Sequence, residues 1–220
     1  MKRSEINCYI KDAKAFFESM NFALPPFACW SPREWACKDA EYDEIRNNQL
    51  GWDITDFGKG DFLKCGLLLF TVRNGNYNTP TSSKTYAEKI MVVRENQVTP
   101  FHFHWNKMED IINRGGGDLL IKVFNADKNE GFDKSPVTVQ VDGRHYKVDA
   151  GTVIRLAKGE SITLPARQYH SFWAEGSKTM VGEVSKTNDD KNDNRFYEPA
   201  GRFPEIKEDE EPLFLLVNEY

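Results

Sequence analysis

From Trp52 onward the chain consists of short runs of β-branched and aromatic residues, and this texture restricts the fold more than any other feature of the sequence. Glycine, asparagine, aspartate and proline separate the runs, which is typical of an antiparallel barrel or sandwich. Asp142 and Gly143 form a two-residue hairpin signal, because both tolerate the positive φ values of a type I′ turn. The pattern therefore predicts a mainly β fold, with strands near residues 62–73, 88–94, 99–105, 119–125, 137–141, 144–148, 153–156, 162–164, 171–175 and 179–185.

The first 51 residues have helical character instead. Ser4 is a candidate N-cap, and apolar residues then recur at three- and four-residue spacing as far as Met20. Pro25 and Pro26 end this helix, and a second helix is predicted within residues 35–47. We predict a helical extension at residues 1–51 and a β-barrel at 52–220, with the C-terminal segment packing back on the barrel. The apolar stripe of the first helix is expected to dock on the barrel or on a second subunit, and a homodimer is the expected assembly.

Composition excludes several classes of partner. The 220 residues carry a net charge of −5, which argues against nucleic acid. No apolar run approaches the length of a membrane span and the N-terminus lacks the apolar core of a secretion signal, so a cytoplasmic location and no membrane partner are expected. The four cysteines are scattered without a C-x-x-C pair, which favours free thiols over disulfides or zinc ligands.

Residues 99–117 hold the strongest functional signal in the chain. His102 and His104 lie on one face if this stretch begins as a strand, because side chains alternate with period two. Glu109 is out of phase with them, so the backbone must turn or bulge near Asn106 to bring its carboxylate to the same point. Lys107 is in phase with Glu109, and its ammonium group should then line the same cavity.

A fourth candidate ligand is His170, which follows Pro165 at the start of a second aromatic run. Three histidines and one glutamate would hold a divalent ion and leave two positions of an octahedral ion open, as in a catalytic site. The alternative is that the histidines are packing residues and that Glu109 begins an exposed loop, but the joint pattern favours the metal site. His145 follows a hairpin turn without a partner at ligand spacing and is interpreted as a surface residue or a residue that contacts a ligand, but not as a ligand itself.

With these two segments on successive strands, the chain resembles a cupin, a double-stranded β-helix or jelly-roll barrel with a metal inside. The first cupin pattern, G-x5-H-x-H-x(3,4)-E-x6-G, is matched except that Asn96 replaces the first glycine, a mild departure because asparagine tolerates the left-handed conformation. The second pattern, G-x5-P-x-G-x2-H-x3-N, retains the histidine, while Arg167 replaces the inner glycine and Ala174 the final asparagine.

The chain also resembles a narrower group, the bacterial D-lyxose isomerases. The similarity lies in MKRSEIN at the start, TPFHFHWNKMEDIINRGGGDL in the middle, and GEVSKTNDDKNDNRF with GRFPEI near the end. It implies a cupin with an N-terminal helical extension that interconverts D-lyxose with D-xylulose, and more slowly D-mannose with D-fructose. It also implies a divalent cofactor such as Mn²⁺, with Zn²⁺, Co²⁺ and Fe²⁺ as alternatives.

Such a reaction needs a polarised carbonyl and a base that moves a proton between C1 and C2. Glu205 is the first candidate base, because its segment resembles the family segment that returns over the pocket. Glu183 is the second, because an unpaired carboxylate in mid-strand is unusual. Both could instead be structural, Glu205 as the start of an acidic run that we expect to be solvated, and a metal-guided hydride shift remains an alternative to proton transfer through a cis-enediol.

Four further residues are candidates for contacting the sugar. Lys107 and Lys89 are expected to point inward and donate to sugar hydroxyls. Trp105 and Trp173 flank the ligands and are candidates for the pocket wall, although packing is the more frequent role. The competing functions are an iron-dependent cupin dioxygenase, which uses the same ligand types, and a non-catalytic sugar-binding cupin.

Overall fold

The structure is a computed structural model that describes residues 1–78 and 83–220. Its helical part contains α1 (Arg3–Ser19), α2 (Pro32–Trp35) and α3 (Asp43–Asn47), with 3₁₀ turns at Pro26–Cys29 and Ala40–Tyr42. The strands are β1 (Gly51–Thr55), β2 (Leu67–Arg73), β3 (Tyr86–Val93), β4 (Thr99–Phe103), β5 (Glu109–Ala126), β6 (Phe132–Asp133), β7 (Val137–Val141), β8 (Arg144–Val148), β9 (Val153–Leu156), β10 (Ser161–Leu164), β11 (Gln168–Lys186) and β12 (Arg195–Phe196). The predicted mainly β fold is confirmed.

The strands pair antiparallel in the order β1-β2-β3-β11-β5-β10-β7-β8, and β4 also pairs with β11. The two longest strands, β5 and β11, pair from Gln168 with Asn125 to Ser185 with Glu109. The sequence predicts β11 as two strands and β5 only from residue 119. The pairing of β5 with β11 continues through the glycines at 115–117 because its register shifts there. Glycine is needed at position 116, since a Cβ there would collide with the carbonyl of Lys178.

The barrel buries an inner apolar core, and α1 covers the outer face of its β1-β2-β3 side. Ile6, Ile10 and Phe17 are buried in one cluster with Trp52 and Phe70. The apolar stripe of α1 therefore docks on the barrel of its own chain, which is the first of the two predicted outcomes, and it is not a free surface for a second subunit. The division into residues 1–51 and 52–220 remains a prediction.

Two turns in the left-handed region explain how the chain departs from the cupin patterns without losing the fold. Asn96, between β3 and β4, has a φ of 59°, and Arg167, before β11, has a φ of 63°. Asn96 and Arg167 stand where the cupin patterns have glycine. The left-handed backbone conformation is therefore retained at both positions even though the residue is not glycine. Asp142 and Gly143, with φ values of 46° and 79°, form the predicted hairpin turn between β7 and β8.

The acidic run of the C-terminal segment, residues 208–211, is exposed, as the sequence predicts, and it also binds the first turn of α1. Glu208 accepts hydrogen bonds from Arg3, and Asp209 accepts from the N–H and Oγ of Ser4 at 2.9 and 2.8 Å. Carboxylates are stabilised at this end of a helix because its N–H groups are unpaired there. The apolar end of the chain does pack back, with Leu216 buried and bridged to Trp52.

The predicted helix within residues 35–47 is broken into the short helices and turns given above. No helix in the described parts of the chain is long and apolar enough to cross a membrane.

Candidate active site

The four predicted metal ligands converge in one cavity. One nitrogen of each of His102, His104 and His170 and one carboxylate oxygen of Glu109 all lie within 4.8 Å of one another. Strand pairing explains this convergence: β11 brings His170 opposite His102, and Glu109 is the first residue of β5. The chain bends at residues 105–106, as the phase difference between His104 and Glu109 requires.

The hydrogen bonds of the histidines leave one nitrogen of each free for a cation. The Nδ1 atoms of His102, His104 and His170 lie 2.9, 2.8 and 3.1 Å from the carbonyl oxygens of Pro100, Asp193 and Gln168. A carbonyl only accepts, so each Nδ1 carries the proton and each Nε2 carries a lone pair.

Three buried lone pairs beside a carboxylate form a donor set suited to a divalent ion. The Nε2 atoms of His104 and His170 have no hydrogen-bond partner within residues 1–78 and 83–220. Burial, together with the neighbouring His170 and His104, holds the pKa of His102 well below its ordinary 6.5, so this ring is neutral and ready to ligate. The residues present therefore fit a metal of the type that the sequence predicts.

A network of lysines and carboxylates adjoins the ligand set. Lys107 Nζ lies 2.8 Å from Glu109 Oε2 and 2.9 Å from Glu183 Oε1, and Lys89 Nζ lies 3.4 Å from the same Glu183 oxygen. Burial alone would raise the pKa of Glu183, but Lys107 and Lys89 outweigh it and hold this pKa below the ordinary 4.5. Burial opposes the charge of Lys107, but Glu109 and Glu183 raise its pKa overall. The cavity thus contains a charged base beside two ammonium groups.

The cavity has an empty volume of about 590 Å³, which includes its open mouth. The side chains of Phe57, Phe172 and Phe196 form an apolar wall, and Phe196 stacks on His102 with ring centroids 5.3 Å apart. Asp190 and Arg202 line the same cavity as the metal ligands, Lys89, Lys107 and Glu183. A polyol could therefore meet the ligand set, charged hydrogen-bonding groups and aromatic faces at once.

Several predicted site residues lie elsewhere. Glu205 is exposed on a separate surface cavity, where its carbonyl oxygen accepts a hydrogen bond from the amino group of Met1. Trp105 donates through Nε1 to Glu130, and Trp173 occupies the strand position next to Phe172, whose side chain lines the cavity. Neither tryptophan is among the residues that line the cavity, and His145 is exposed, as predicted.

The sequence interpretation missed three residues in the C-terminal part. The polar stretch 187–195, whose composition favours a solvated loop over a calcium loop, does form a loop, but it is only partly exposed. Asp190 lines the cavity, where burial would raise its pKa but Lys89 and Arg202 hold it well below its ordinary value. Arg202 lies 2.8 Å from Asp190 and 3.1 Å from the buried Asp53, and Asp193 is 4% exposed. The only signal was the density of carboxylates and amides in this stretch, which is equally typical of an exposed loop.

The fold and the site together define a class: a cupin barrel with a three-histidine, one-glutamate site compatible with a divalent metal and a charged cavity. The model of the D-lyxose isomerase family matches residues 1–220, and the chain belongs to this family. It is 50% identical to the D-lyxose/D-mannose isomerase of Escherichia coli O157:H7 and 49% identical to that of Serratia proteamaculans, in each case over 100% of this chain and 98% of the relative. The protein is therefore an isomerase whose family converts aldoses to ketoses.

Solved structures share the fold at much lower sequence identity. The L-ribose isomerase of Cellulomonas parahominis with L-ribose superposes with a TM-score of 0.62 at 15% identity, covering 94% of this chain and 98% of that one. The L-ribose isomerase of Acinetobacter sp. DL28 in complex with L-ribose gives a TM-score of 0.60 at 14% identity, with the same coverage. At these identities the similarity shows the cupin-like fold.

Proposed function

We propose that this enzyme interconverts D-lyxose with D-xylulose and D-mannose with D-fructose. The observation that carries the proposal is the position of the buried Lys107 between the ligand Glu109 and the free carboxylate of Glu183. This arrangement places an acid and a base next to the metal centre, as proton transfer between neighbouring carbons requires. The relatives named above support the choice of sugars.

The metal centre consists of His102, His104, Glu109 and His170, and Mn²⁺ is the proposed ion, with Zn²⁺, Co²⁺ or Fe²⁺ as substitutes. When bound, such an ion supplies a Lewis acid that polarises the sugar carbonyl and stabilises negative charge on its oxygen. The protein keeps the Nε2 lone pairs free for it through the three Nδ1 contacts with backbone carbonyls.

Glu183 is the proposed base of the aldose-to-ketose reaction. Its carboxylate takes the proton from C2, the C–H electrons form the C1–C2 double bond, and the C1–O1 π electrons move to O1, which takes a proton from the Lys107 ammonium to give the cis-enediol. O2 then gives its proton to Lys107 as the C2–O2 double bond forms, and Glu183 delivers its proton to C1, which gives the ketose. Glu183 is 5% exposed and its pKa is held low, so it is charged and shielded from bulk water at neutral pH.

The cavity residues also hold the base and the sugar in place. Lys107 and Lys89 hold Glu183 in the charged form and donate to sugar oxygens. Phe172 and Phe196 exclude water from the reacting carbons, and Arg202 offers donors to hydroxyl groups farther along the sugar.

The test is an assay of the metal-stripped protein under anaerobic conditions, before and after reloading with Mn²⁺, with D-lyxose and D-mannose in deuterated water. Ketose is expected only after reloading, and solvent deuterium in the product would support exchange through Glu183. Ketose without deuterium would favour a hydride shift or a shielded proton. Absence of ketose from both sugars, with metal bound, would overturn the proposed substrates.

We also propose a cytoplasmic homodimer. The four cysteines are free thiols, which suits a reducing compartment.

The exposed apolar side chains support the dimer. Tyr86, Met108 and Val184 are 47%, 45% and 44% exposed on or beside the neighbouring strands β3, β5 and β11, and subunits commonly cover such apolar side chains. Light scattering coupled to size-exclusion chromatography tests the assembly, and a mass near 25 kDa would contradict it.

A further inference from the structure

Asp193 makes an unusual set of contacts with the metal-binding segment. Its Oδ1 accepts a hydrogen bond from the N–H of Asn106 at 2.8 Å, and its Oδ2 accepts from the N–H of Lys107 at 2.8 Å. Its own carbonyl oxygen lies 2.8 Å from Nδ1 of His104. One residue, 86 to 89 positions away in the chain, thus binds three points in the turn between two metal ligands.

His104 differs in this respect from the other two histidine ligands. His102 and His170 contact carbonyls only two residues earlier on their own strands, at Pro100 and Gln168. These contacts form as soon as the strand forms. The ring of His104, in contrast, is oriented by a group that arrives from the far end of the chain, so its position depends on tertiary structure alone.

The turn that Asp193 binds also determines where Lys107 and Glu109 point. Glu109 is out of phase with His102 of β4 and with His104 just after it, and the bend at residues 105–106 corrects this difference. The N–H groups at 106 and 107 point out of that bend, and a buried N–H without an acceptor is costly. A carboxylate that accepts from both N–H groups therefore stabilises this bend over alternatives that would move Lys107 and Glu109 away from the cavity.

We propose that Asp193 is a positioning residue that couples the order of residues 187–195 to the affinity of the metal site. The same stretch contributes Asn188, whose Oδ1 accepts from Lys89 and Lys107 at 2.8 and 3.0 Å, and Asp190, which lines the cavity. We therefore expect residues 187–195 to become ordered over the cavity when the metal site forms. Because coupling between two binding events is reciprocal, metal binding must also stabilise the stretch.

This proposal rests on the proposed function only in its metal centre and does not depend on which sugar is the substrate. The first test is titration of the metal-stripped protein with Mn²⁺ by calorimetry, comparing the wild type with Asp193→Asn. In the variant, the amide NH₂ group replaces one of the two carboxylate oxygens and faces a backbone N–H that it cannot accept from. The affinity for Mn²⁺ is expected to fall by about 10- to 100-fold, as it does when a contact that supports a metal ligand is lost.

Asp189→Asn is the matched control. It makes the same chemical change in the same stretch, but among residues 1–78 and 83–220 the Asp189 carboxylate accepts only from Lys191 and Asn192, within its own loop. Its metal affinity is expected to stay within about threefold of the wild type. Equal affinities of all three proteins, or equal losses in both variants, would overturn the role of Asp193. Failure of the wild type to bind any divalent ion would instead overturn the metal centre itself.

The second test uses only the wild-type protein, so it holds even if a variant does not fold. Hydrogen exchange is followed by mass spectrometry in the metal-free and the Mn²⁺-loaded protein. Exchange is expected to slow at least threefold on loading both in residues 99–109 and in residues 187–195. Protection of 99–109 with unchanged exchange in 187–195 would overturn the coupling.

Discussion

At the scale of single residues, the chemistry of the cavity depends on which carboxylate is the base. Glu183 and Glu205 are the two candidates from the sequence, and the structure places only Glu183 in the cavity with the metal ligands. Glu183 Oε1 lies 2.9 Å from Lys107, whereas the Glu205 side chain is exposed. These positions support Glu183 as the base and lead to a direct comparison of two variants.

Glu183→Gln is expected to lower kcat by about 10²- to 10⁴-fold, because the amide cannot accept the C2 proton. Glu205→Gln, the matched control, is expected to keep kcat within about threefold of the wild type. Initial rates with D-lyxose at saturating Mn²⁺ measure both, and calorimetry checks that each variant still binds the ion. The opposite ranking of the two variants would return the catalytic role to Glu205.

The charge on Glu183 also predicts a pH dependence. Lys89 lies 3.4 Å from the Glu183 carboxylate and helps to hold its pKa low. The base is active when deprotonated, so activity is lost as the pH falls through this pKa. Removing the ammonium group in Lys89→Met raises the pKa and is expected to move the acid limb of kcat/KM upward by about one pH unit.

The control for that profile is Lys59→Met, which removes a partly exposed ammonium that pairs with the exposed Glu198. Its acid limb should coincide with that of the wild type. A downward shift in Lys89→Met would contradict the role assigned to Lys89.

At the scale of elements, two turns and one register shift determine where the ligands lie. Asn96 precedes the strand that holds His102, and its N–H donates to the carbonyl of Ala174 on β11 at 2.9 Å. Arg167 precedes the strand that holds His170, and its N–H donates to the carbonyl of His104 at 2.8 Å. Both residues combine a positive φ with a hydrogen bond between the two ligand-bearing segments. The cupin patterns thus have glycine at these positions because the backbone needs a positive φ there. Asparagine and arginine also adopt a positive φ, at some cost in strain.

Substitutions at Asn96 test this requirement. Asn96→Val is expected to lower the free energy of unfolding by about 1–2 kcal/mol, because a β-branched side chain is disfavoured at a φ of 59°. Asn96→Gly is expected to remain within about 0.5 kcal/mol of the wild type, since glycine adopts this conformation freely but is more flexible in the unfolded chain. Denaturant unfolding measures both, and equal losses in the two variants would show that the side chain of Asn96 matters more than its backbone.

At the scale of the whole molecule, the two ends of the chain are joined on the barrel surface. Arg3 is 2% exposed and binds Glu208 and Glu219, while Asn7 donates to Glu210 at 2.6 Å. Hydrogen bonds from Arg3 lower the pKa of Glu208. The acidic run therefore fastens α1 and the C-terminal segment together, and that segment also contains Arg202 at the cavity.

This contact predicts a pH-dependent loss of stability in Arg3→Met. Carboxylates with lowered pKa values stabilise the folded state above their ordinary values, and this contribution disappears as the pH falls through the lowered ones. Arg3→Met is therefore expected to unfold about 2 kcal/mol more easily than the wild type at pH 7. The difference should shrink as the pH falls through the lowered pKa of Glu208.

The control is Arg155→Met, which removes an exposed arginine that pairs with Asp118 and Glu175. Exposed pairs contribute little, so its loss of stability at pH 7 should be clearly smaller than that of Arg3→Met. Thermal unfolding between pH 3 and 7 gives both values. A difference in Arg3→Met that is independent of pH would mean that packing of the side chain, and not its charge, joins the two ends.

The sequence by itself determined the features that depend on local backbone geometry. Period-two alternation put His102 and His104 on one face, the phase of Glu109 required the bend before it, and the apolar spacing in residues 4–20 predicted α1. The Asp142–Gly143 turn and the tolerance of Asn96 for positive φ follow from the same backbone preferences.

Only the tertiary structure decided which polar residues reach the cavity. Asp190, Asp193 and Arg202 lie in stretches whose composition is typical of solvated loops, and they are held inside by partners far away in the chain: Lys89, Lys107 and Asp53. Glu205 lies three residues beyond Arg202 and is exposed. Local propensity cannot distinguish these cases, because a charged side chain is buried only where distant residues supply its partners, and the strand pairing of the whole barrel determines that supply.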